Sequence, residues 1–598
     1  MNDYTDEKNA QIVLSLLKEY GIRYIVASPG STNIPILGSI QNDNYFTVYS
    51  SVDERSAAYL ACGIAAETGE TVVLSCTGAT ASRNYLSGLT EAYYRKLPIL
   101  ALTSMHEVEG IGNLKPQVID RSILPKDTVK GSYLIDIVKD KKDFSFAVLQ
   151  VNKALSTLVR NGGGPVHINL ISSYLGTFST KKLPEVRKIN YSNSDLKIDV
   201  MRKILNNKKI CLFIGSHSKF DHQTLEEIEL FVRNTGAIVL ADHTSNYRGE
   251  GKILSALPST NLSSQHDMFE ELKPEVILHI GEVSGDYPSM DFLSRSKADV
   301  IRISEDGEFR DLFGNLKYVF EKSEEDFFNQ LNQFSIDRRI NYMENWKQYT
   351  QNIIKKIPTL PFSNTWIAQN LSPLVPKKSV LYLGILNTLR NWNYFQVDDS
   401  VSVYSNVGGF GIDGGLSTLI GMSLVDTTKL CFCVLGDLSF FYDMNVLGNR
   451  HIGKNIRILL INNESGTEFK NSTHIGANFG DRANQYIAAG GHFTNQFSSV
   501  SVETEDSPAR SWCESLGFKY LRATSKEEYS NCVKDFLSTE SDRPIILECF
   551  TNSNEESTAL ELMANLDNKI NLQGRTKQAV KKIIPNNIKN VIKGAITQ

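Results

Sequence analysis

Short apolar runs recur along this chain, and most are followed by a stretch of helical period. That alternation limits the fold more than any other feature. Strands separated by helices build βαβ units with right-handed crossovers, so the strands lie parallel with helices on both faces. The first block reads as helix 8–20, strand 22–28 (IRYIVAS), strand 45–51, helix 54–68, strand 71–76, helix 80–95 and strand 98–103. GPVHINLISS closes it near 175. A polar SNSD stretch at 192–195 precedes KKICLFIGS (208–216), AIVLAD (237–242), EVILHIG (275–281) and ADVIRIS (298–304). Residues 320–350, charged and aromatic, read as a helical connector. A third block opens near 378 with SVLYLG and runs through LCFCVLGD and IRILLINN to PIILECF (544–550). The expectation is an α/β fold of three consecutive doubly wound domains with mainly parallel sheets, at 1–185, 195–340 and 355–560. A basic C-terminal tail follows at 561–598. Self-similarity between the blocks is too weak to call a repeat.

Length and charge agree with this. At about 150 residues per domain, 598 residues make three to four domains. With 63 Lys+Arg against 67 Asp+Glu, no basic field speaks for nucleic-acid binding. No apolar run approaches the roughly 20 residues of a membrane-spanning helix. The acidic, polar start is wrong for a secretory leader. Cys76, Cys211, Cys431, Cys433 and Cys549 lie in apolar, strand-like runs, where thiols behave as small hydrophobes in a reducing compartment. The expectation is a soluble, cytoplasmic protein.

The strongest chemical signal is GDLSFFYDMN…ILLINNESGTEF. LCFCVLG reads as a buried strand with Asp437 just past its carboxyl end. Residues 440–453 read as a helix and 456–461 as the next strand, with Asn462 and Asn463 just past it. A right-handed crossover brings both strand ends to one sheet edge, about 5 or 10 Å apart, where open α/β sheets bind ligands. A carboxylate, an amide oxygen and a nearby carbonyl form a hard oxygen set suited to Mg²⁺ or Ca²⁺ with phosphate oxygens. The plain alternative is an Asp helix cap followed by a loop Asn pair.

These residues resemble the diphosphate–metal motif of thiamine diphosphate (ThDP)-dependent enzymes. Within that superfamily the chain is most similar to the 2-succinyl-5-enolpyruvyl-6-hydroxy-3-cyclohexene-1-carboxylate synthases of the menaquinone pathway. SPGSTNIP (28–35), DERSAAYLACGIA (53–65), NYLSGLTEAYYRKLPILALT (84–103), SNVGGFGIDGGLST (405–418) and GDLSFFYDMN (436–445) carry the resemblance. It implies a pyrimidine-binding domain over 1–185, a middle domain, and a diphosphate-binding domain over 355–560. It also implies a homodimer or homotetramer with active sites between subunits. The implied metal ligands are Asp437, Asn463 and the carbonyl of Ser465, where the family usually has Gly. The implied cofactor contacts are Ser28, Pro29, Gly30, Glu54, Thr77, Asn84, Asn406, Gly409, Gly411, Ile412, Gly436, Asp437, Leu438, Ser439, Asn463, Ser465, Gly466, Thr467 and Phe469. The implied reaction is decarboxylation of a 2-oxo acid through a covalent adduct on ThDP, with Mg²⁺, and ligation to an unknown acceptor.

Glu54 has two readings. Ser51-x-x-Glu54 fits a capping box, and an acid in a first helical turn favours the macrodipole. By resemblance, Glu54 hydrogen-bonds a ring nitrogen of the aminopyrimidine and starts cofactor activation. A buried carboxylate has a raised pKa, which suits proton sharing. Gly409-x-Gly411-x-x-Gly414 also matches a dinucleotide fingerprint, which would make the chain a dinucleotide-dependent oxidoreductase. No acid ends a second strand at the expected distance, since Asp426 sits in a turn-like VDTTK. The ThDP reading is preferred, with Ile412 as a prop under the bent cofactor.

The substrate side departs from the resemblance. The menaquinone synthases bind 2-oxoglutarate and isochorismate with several basic residues. Thr32 stands where that family has Arg, Val407 stands where it has another Arg, and GEVSGDYP (281–288) lacks its Lys. Arg390 and Gln117 match. Each lost cation forfeits a charge-assisted hydrogen bond of about 1.5–3 kcal/mol. The expectation is therefore another 2-oxo acid, smaller or less charged, with the menaquinone synthase reaction as the alternative. Candidate catalytic residues are Glu54, His106, Gln117, Arg390 and Glu468. His106 suits proton transfer, and Glu468 stands where the family has an apolar residue. Arg83 is a candidate anion contact. Residues 464–495, with Lys470, His474, Arg482 and His492, read as a cover over the site. From Lys569 the tail carries seven Lys/Arg and no Asp/Glu and reads as a solvated helical face.

Overall fold

A computed structural model describes residues 3–41, 43–263, 265–339, 341–471, 474–492 and 507–567. The described chain forms two compact units. One runs to Asp195 and includes Asp299–Ser323; the other comprises Leu196–Ala298 and the chain from Glu324. The basic tail from Lys569 lies outside the described residues.

In the first unit, β1 (Tyr24–Ala27), β2 (Thr47–Ser50), β3 (Val72–Thr77), β4 (Ile99–Met105), β5 (Ser132–Ile135) and β6 (Val166–Ile171) form a parallel sheet in the order β2-β1-β3-β4-β6-β5. Next in the chain are β7 (Asn190–Ser192), β8 (Ile210–Ile214), β9 (Ile238–Ala241), β10 (Lys252–Leu254), β11 (Val276–Ile280), β12 (Asp299–Ser304) and β13 (Leu316–Glu321). Within the second unit these run β10-β9-β8-β11, and within the first β12-β13-β7. The last sheet holds β14 (Val380–Leu383), β15 (Ser402–Tyr404), β16 (Cys431–Gly436), β17 (Ile456–Asn462), β18 (Lys519–Ala523) and β19 (Ile545–Phe550). Its order is β15-β14-β16-β17-β19-β18, again all parallel. The α/β class with three parallel sheets is thus as expected. The first and last sheets share one connectivity, a kinship the residues themselves do not display.

The unbroken apolar character of the strands has a direct cause. Successive side chains point to opposite faces, and both faces are covered. Val73, Leu100, Leu102 and Ile168 enter one core of the first sheet. Their neighbours Val72, Leu74, Ile99 and Ala101 enter the other. In the last sheet Leu381, Phe432, Val434, Leu459 and Leu547 supply one core, and Tyr382, Cys433, Leu435, Leu460 and Ile546 the other. All eight cysteines are free and seven are buried. Burial pushes the Cys76 thiol up to about 12. Among the described residues no helix is long and apolar enough to cross a membrane.

Several elements differ from expectation. The helix expected over 80–95 is two helices, Thr80–Asn84 and Leu86–Arg95. The helix expected over 440–453 is Asp437–Asp443, followed by a 3₁₀ turn at Met444–Gly448. The Trp512 indole takes the Met444 carbonyl at 3.1 Å. The supposed connector at 320–350 begins with the end of β13 and then forms helices Glu324–Asn332 and Tyr342–Lys355. Strands β5 and β18 escaped the apolar-run criterion because most of their residues are exposed or only partly buried.

The capping box at Ser51 is also corrected. Asp53 is the N-cap of helix Glu54–Thr68, and its carboxylate accepts from the backbone N–H of Arg55 and Ser56. Ser51 instead donates to the Asp53 carbonyl. Asp53→Ala should therefore cost this helix about 1 kcal/mol, while Ser51→Ala should cost much less. Hydrogen exchange of the first-turn amides should accelerate about fivefold in the Asp53 variant only.

Candidate functional site

The switch point of an open α/β sheet lies where the chain leaves in opposite directions from two neighbouring strands, and ligands bind outside the carboxyl ends there. In the last sheet that point lies between β14 and β16. β16 also pairs directly with β17, Gly436 standing opposite Ile461. Asp437 opens the following helix, and Asn463 follows the last residue of β17. Asp437 is 5% exposed. Burial pushes its carboxyl up to about 7, against the backbone N–H of Leu438 and of Asp437 itself.

The two asparagines differ in role. Asn462 turns into the sheet, donating to Glu548 Oε1 at 2.7 Å. Ser507 and Tyr520 donate to the other oxygen of this fully buried carboxylate. Asn463 Oδ1 is buried with no hydrogen-bond partner among the described residues. A buried carboxylate without a cation is costly, and an unpaired buried amide oxygen adds to that cost. Together they fit a hard cation. The Ser465 carbonyl accepts from the Thr467 N–H at 2.9 Å and from the Thr467 hydroxyl at 3.4 Å. Gly466 N–H donates to the Ala488 carbonyl, and the Phe469 N–H to the Gly466 carbonyl. The segment expected to be a long loop is built from short helical turns at Thr467–Lys470, Ile475–Arg482 and Ala483–Tyr486. Residues 472–473 and 493–495 lie outside the described residues.

The glycine run joins this edge. Ser439 Oγ donates to the Ile412 carbonyl at 2.6 Å. Asn406 bonds Thr418 in helix Gly415–Val425. The helix lies so close to β14 that a Cβ on Gly415 would sit 2.9 Å from the Tyr382 ring. Gly409 and Gly411 are exposed. β15, which precedes the run, is the edge strand and does not neighbour β16. A dinucleotide fingerprint instead follows the central first strand of its sheet. Asp426 caps a turn, accepting from Thr428.

In the first sheet the corresponding switch point lies between β1 and β3. Ser28, Pro29 and Gly30 follow β1, and Thr77 ends β3. A Cβ on Gly30 would lie 2.6 Å from Thr77 Cβ, so this close approach demands glycine. Thr32 is buried, donates to the Ser104 carbonyl at 2.7 Å and bonds Thr77 Oγ1. Glu54, partly buried, accepts from Asn84 Nδ2 at 3.1 Å. His106 follows the end of β4 and packs edge-on against Tyr174, ring centroids 4.8 Å apart. Gln117 is exposed at φ +64°. Arg83, the candidate anion contact, donates to the Asp120 carbonyl. Arg121 was not singled out from the residues. It is 2% exposed and donates to Thr103 and Asn169. A lone Arg in a polar stretch carries no signal of burial.

In the second unit Arg390 and Glu468 form a two-pronged ion pair, Nη1 to Oε2 at 2.7 Å and Nη2 to Oε1 at 2.9 Å. Val407 is 3% exposed. The 281–288 loop reaches the same wall: a Cβ on Gly285 would lie 2.5 Å from Leu389 and 3.5 Å from Val407. That loop carries no base but a fully buried acid. Burial pushes the Asp286 carboxyl up to about 6, and Asp242 adds to the shift.

Residues 7–124 match the family model described as thiamine pyrophosphate enzyme, N-terminal TPP binding domain. The chain is 30% identical to the 2-succinyl-5-enolpyruvyl-6-hydroxy-3-cyclohexene-1-carboxylate synthase of Phocaeicola vulgatus, over 95% of this chain and all of that protein. It is 29% identical to the synthase of the same name from Bacteroides thetaiotaomicron, over 93% of this chain and 98% of the relative. The Flavobacterium psychrophilum synthase is 27% identical over 91% and 96%. Identity spread over nearly the whole of both chains, together with parallel sheets whose switch points carry these residues, places the chain among thiamine diphosphate-dependent enzymes, in the family of the 2-succinyl-5-enolpyruvyl-6-hydroxy-3-cyclohexene-1-carboxylate synthases.

Proposed function

We propose that the chain is a ThDP- and Mg²⁺-dependent carboligase that decarboxylates a 2-oxo acid and joins the product to an acceptor. The observation that carries this is that buried Asp437 and the Asn463 oxygen, without a partner among the described residues, follow the ends of adjacent paired strands. Asp437, Asn463 and the Ser465 carbonyl would hold Mg²⁺ and, through it, the diphosphate. The Gly409–Gly411 segment and Ile412, whose carbonyl Ser439 fixes, would support the rest of the cofactor. Bound ThDP supplies an electron sink for the carbanion left when CO₂ departs. Glu54, oriented by Asn84, would share a proton with a ring nitrogen of the aminopyrimidine. His106 would move protons at the edge of β4. Two copies of the chain would complete each site, the pyrimidine-binding part of one serving the diphosphate-binding part of the other.

The relatives support the synthase reaction they are named for, with 2-oxoglutarate as donor and isochorismate as acceptor, as the first reading. A second reading, a less anionic 2-oxo acid, is supported by Thr32 and Val407. Both are buried and engaged in the interior, where the resemblance calls for arginines.

Thiamine analysis of the purified protein should find ThDP bound one per chain. Chelation of Mg²⁺, or Asp437→Ala, should release it. A protein that takes up no ThDP with added Mg²⁺ overturns the proposal. Glu54→Gln should keep ThDP and the fold while lowering turnover about 10²–10⁴-fold. CO₂ release from a panel of 2-oxo acids, with and without isochorismate, separates the two readings.

A further inference from the structure

Arg390 lies in the short helix Asn387–Trp392 that follows β14, at the switch point of the last sheet. Its side chain is 22% exposed and that of Glu468 18%. Both prongs of the guanidinium are taken by the one carboxylate. Asn387 Oδ1 accepts a further bond from Nη1 at 2.8 Å. Asn471 Nδ2 donates to both Glu468 Oε2 and Asn387 Oδ1. The arrangement presents to Arg390 what a bound carboxylate would present: two coplanar oxygens matched to a planar fork.

The surrounding wall is largely apolar, and its buried acid, Asp286, is held by the Ser255 and Ser289 hydroxyls. Gly285, Leu389 and Val407 pack together, and Tyr287 meets Phe410 edge-on. A ligand carboxylate entering here would displace Glu468 from Arg390 and leave a second carboxylate half-buried and unpaired. That exchange gains nothing and incurs a desolvation cost. A ligand with a neutral side chain leaves the pair intact.

We propose that Glu468 is a specificity-determining residue: by filling the fork of Arg390 it restricts the donor to 2-oxo acids whose side chain carries no second carboxylate. This rests on the reading that a 2-oxo acid is processed at the carboxyl edge of β14 and β16, and it favours the less anionic donor over 2-oxoglutarate.

The test uses the full chain loaded with ThDP and Mg²⁺, and two unreactive probes, glutarate and butyrate. Calorimetry compares wild type, Glu468→Gln and Glu468→Leu. Wild type should bind the two probes within a few fold of each other. Glu468→Leu should bind glutarate roughly 10–100-fold more tightly than wild type does, the worth of one charge-assisted pair, with butyrate nearly unchanged. Glu468→Gln should shift in the same direction by less. A glutarate-to-butyrate ratio that stays constant across the three proteins overturns the proposal. So does a wild type that already prefers glutarate about tenfold, or loss of the folded state in both variants, which would make the pair architectural. Absence of turnover of every 2-oxo acid by wild type would instead overturn the preceding reading, since the probe ratio requires no turnover.

Discussion

The register of β16 against β17 is the constraint on which the chemistry of the second unit depends. Gly436 stands opposite Ile461, so Asp437 and Asn463 leave the sheet at neighbouring points. That register is held by burial on two sides. A slip by one residue would move Cys433 and Leu435 into the core of Phe432 and Val434, and would exchange every partner along the strand. The apolar cores and the polar strand ends are therefore one device: burial of the first sets the register of the second.

The same device appears at the start of the chain. The first sheet repeats the connectivity of the last, and its switch point carries Ser28, Gly30 and Thr77. The close approach of Gly30 to Thr77 leaves no room for a side chain between the strand ends. Both edges answer charge locally. Glu548 gathers three donors, one of them Asn462 at the end of β17, Arg121 is held by neutral oxygens, and Arg390 is met by Glu468.

Much of this was legible in the residues. Strands β3, β4, β16 and β17 announced themselves because two buried faces require unbroken apolar runs. Asp437 and Asn463 followed from the ends of those runs. Strands β5 and β18 were missed because a half-exposed strand leaves no unbroken run. Asp53 was passed over as the cap because Ser51 and Glu54 fitted a pattern that backbone geometry then declined. Arg121 and Asn471 were passed over because burial of a polar side chain is decided by what packs above it.

The sequence by itself determined the α/β class, the succession of parallel sheets and the position of Asp437 and Asn463 just past strand ends. Those features follow from local periodicity and from the handedness of βαβ crossovers. Only the tertiary structure decided which asparagine of the pair turns inward, that Thr32 and Val407 belong to the interior, and that Arg390 is bound by Glu468. Arg390 and Glu468 stand 78 residues apart. No periodic pattern reaches across such a gap; the pair exists because packing brings the helix after β14 and the turn after β17 within reach of one ion pair.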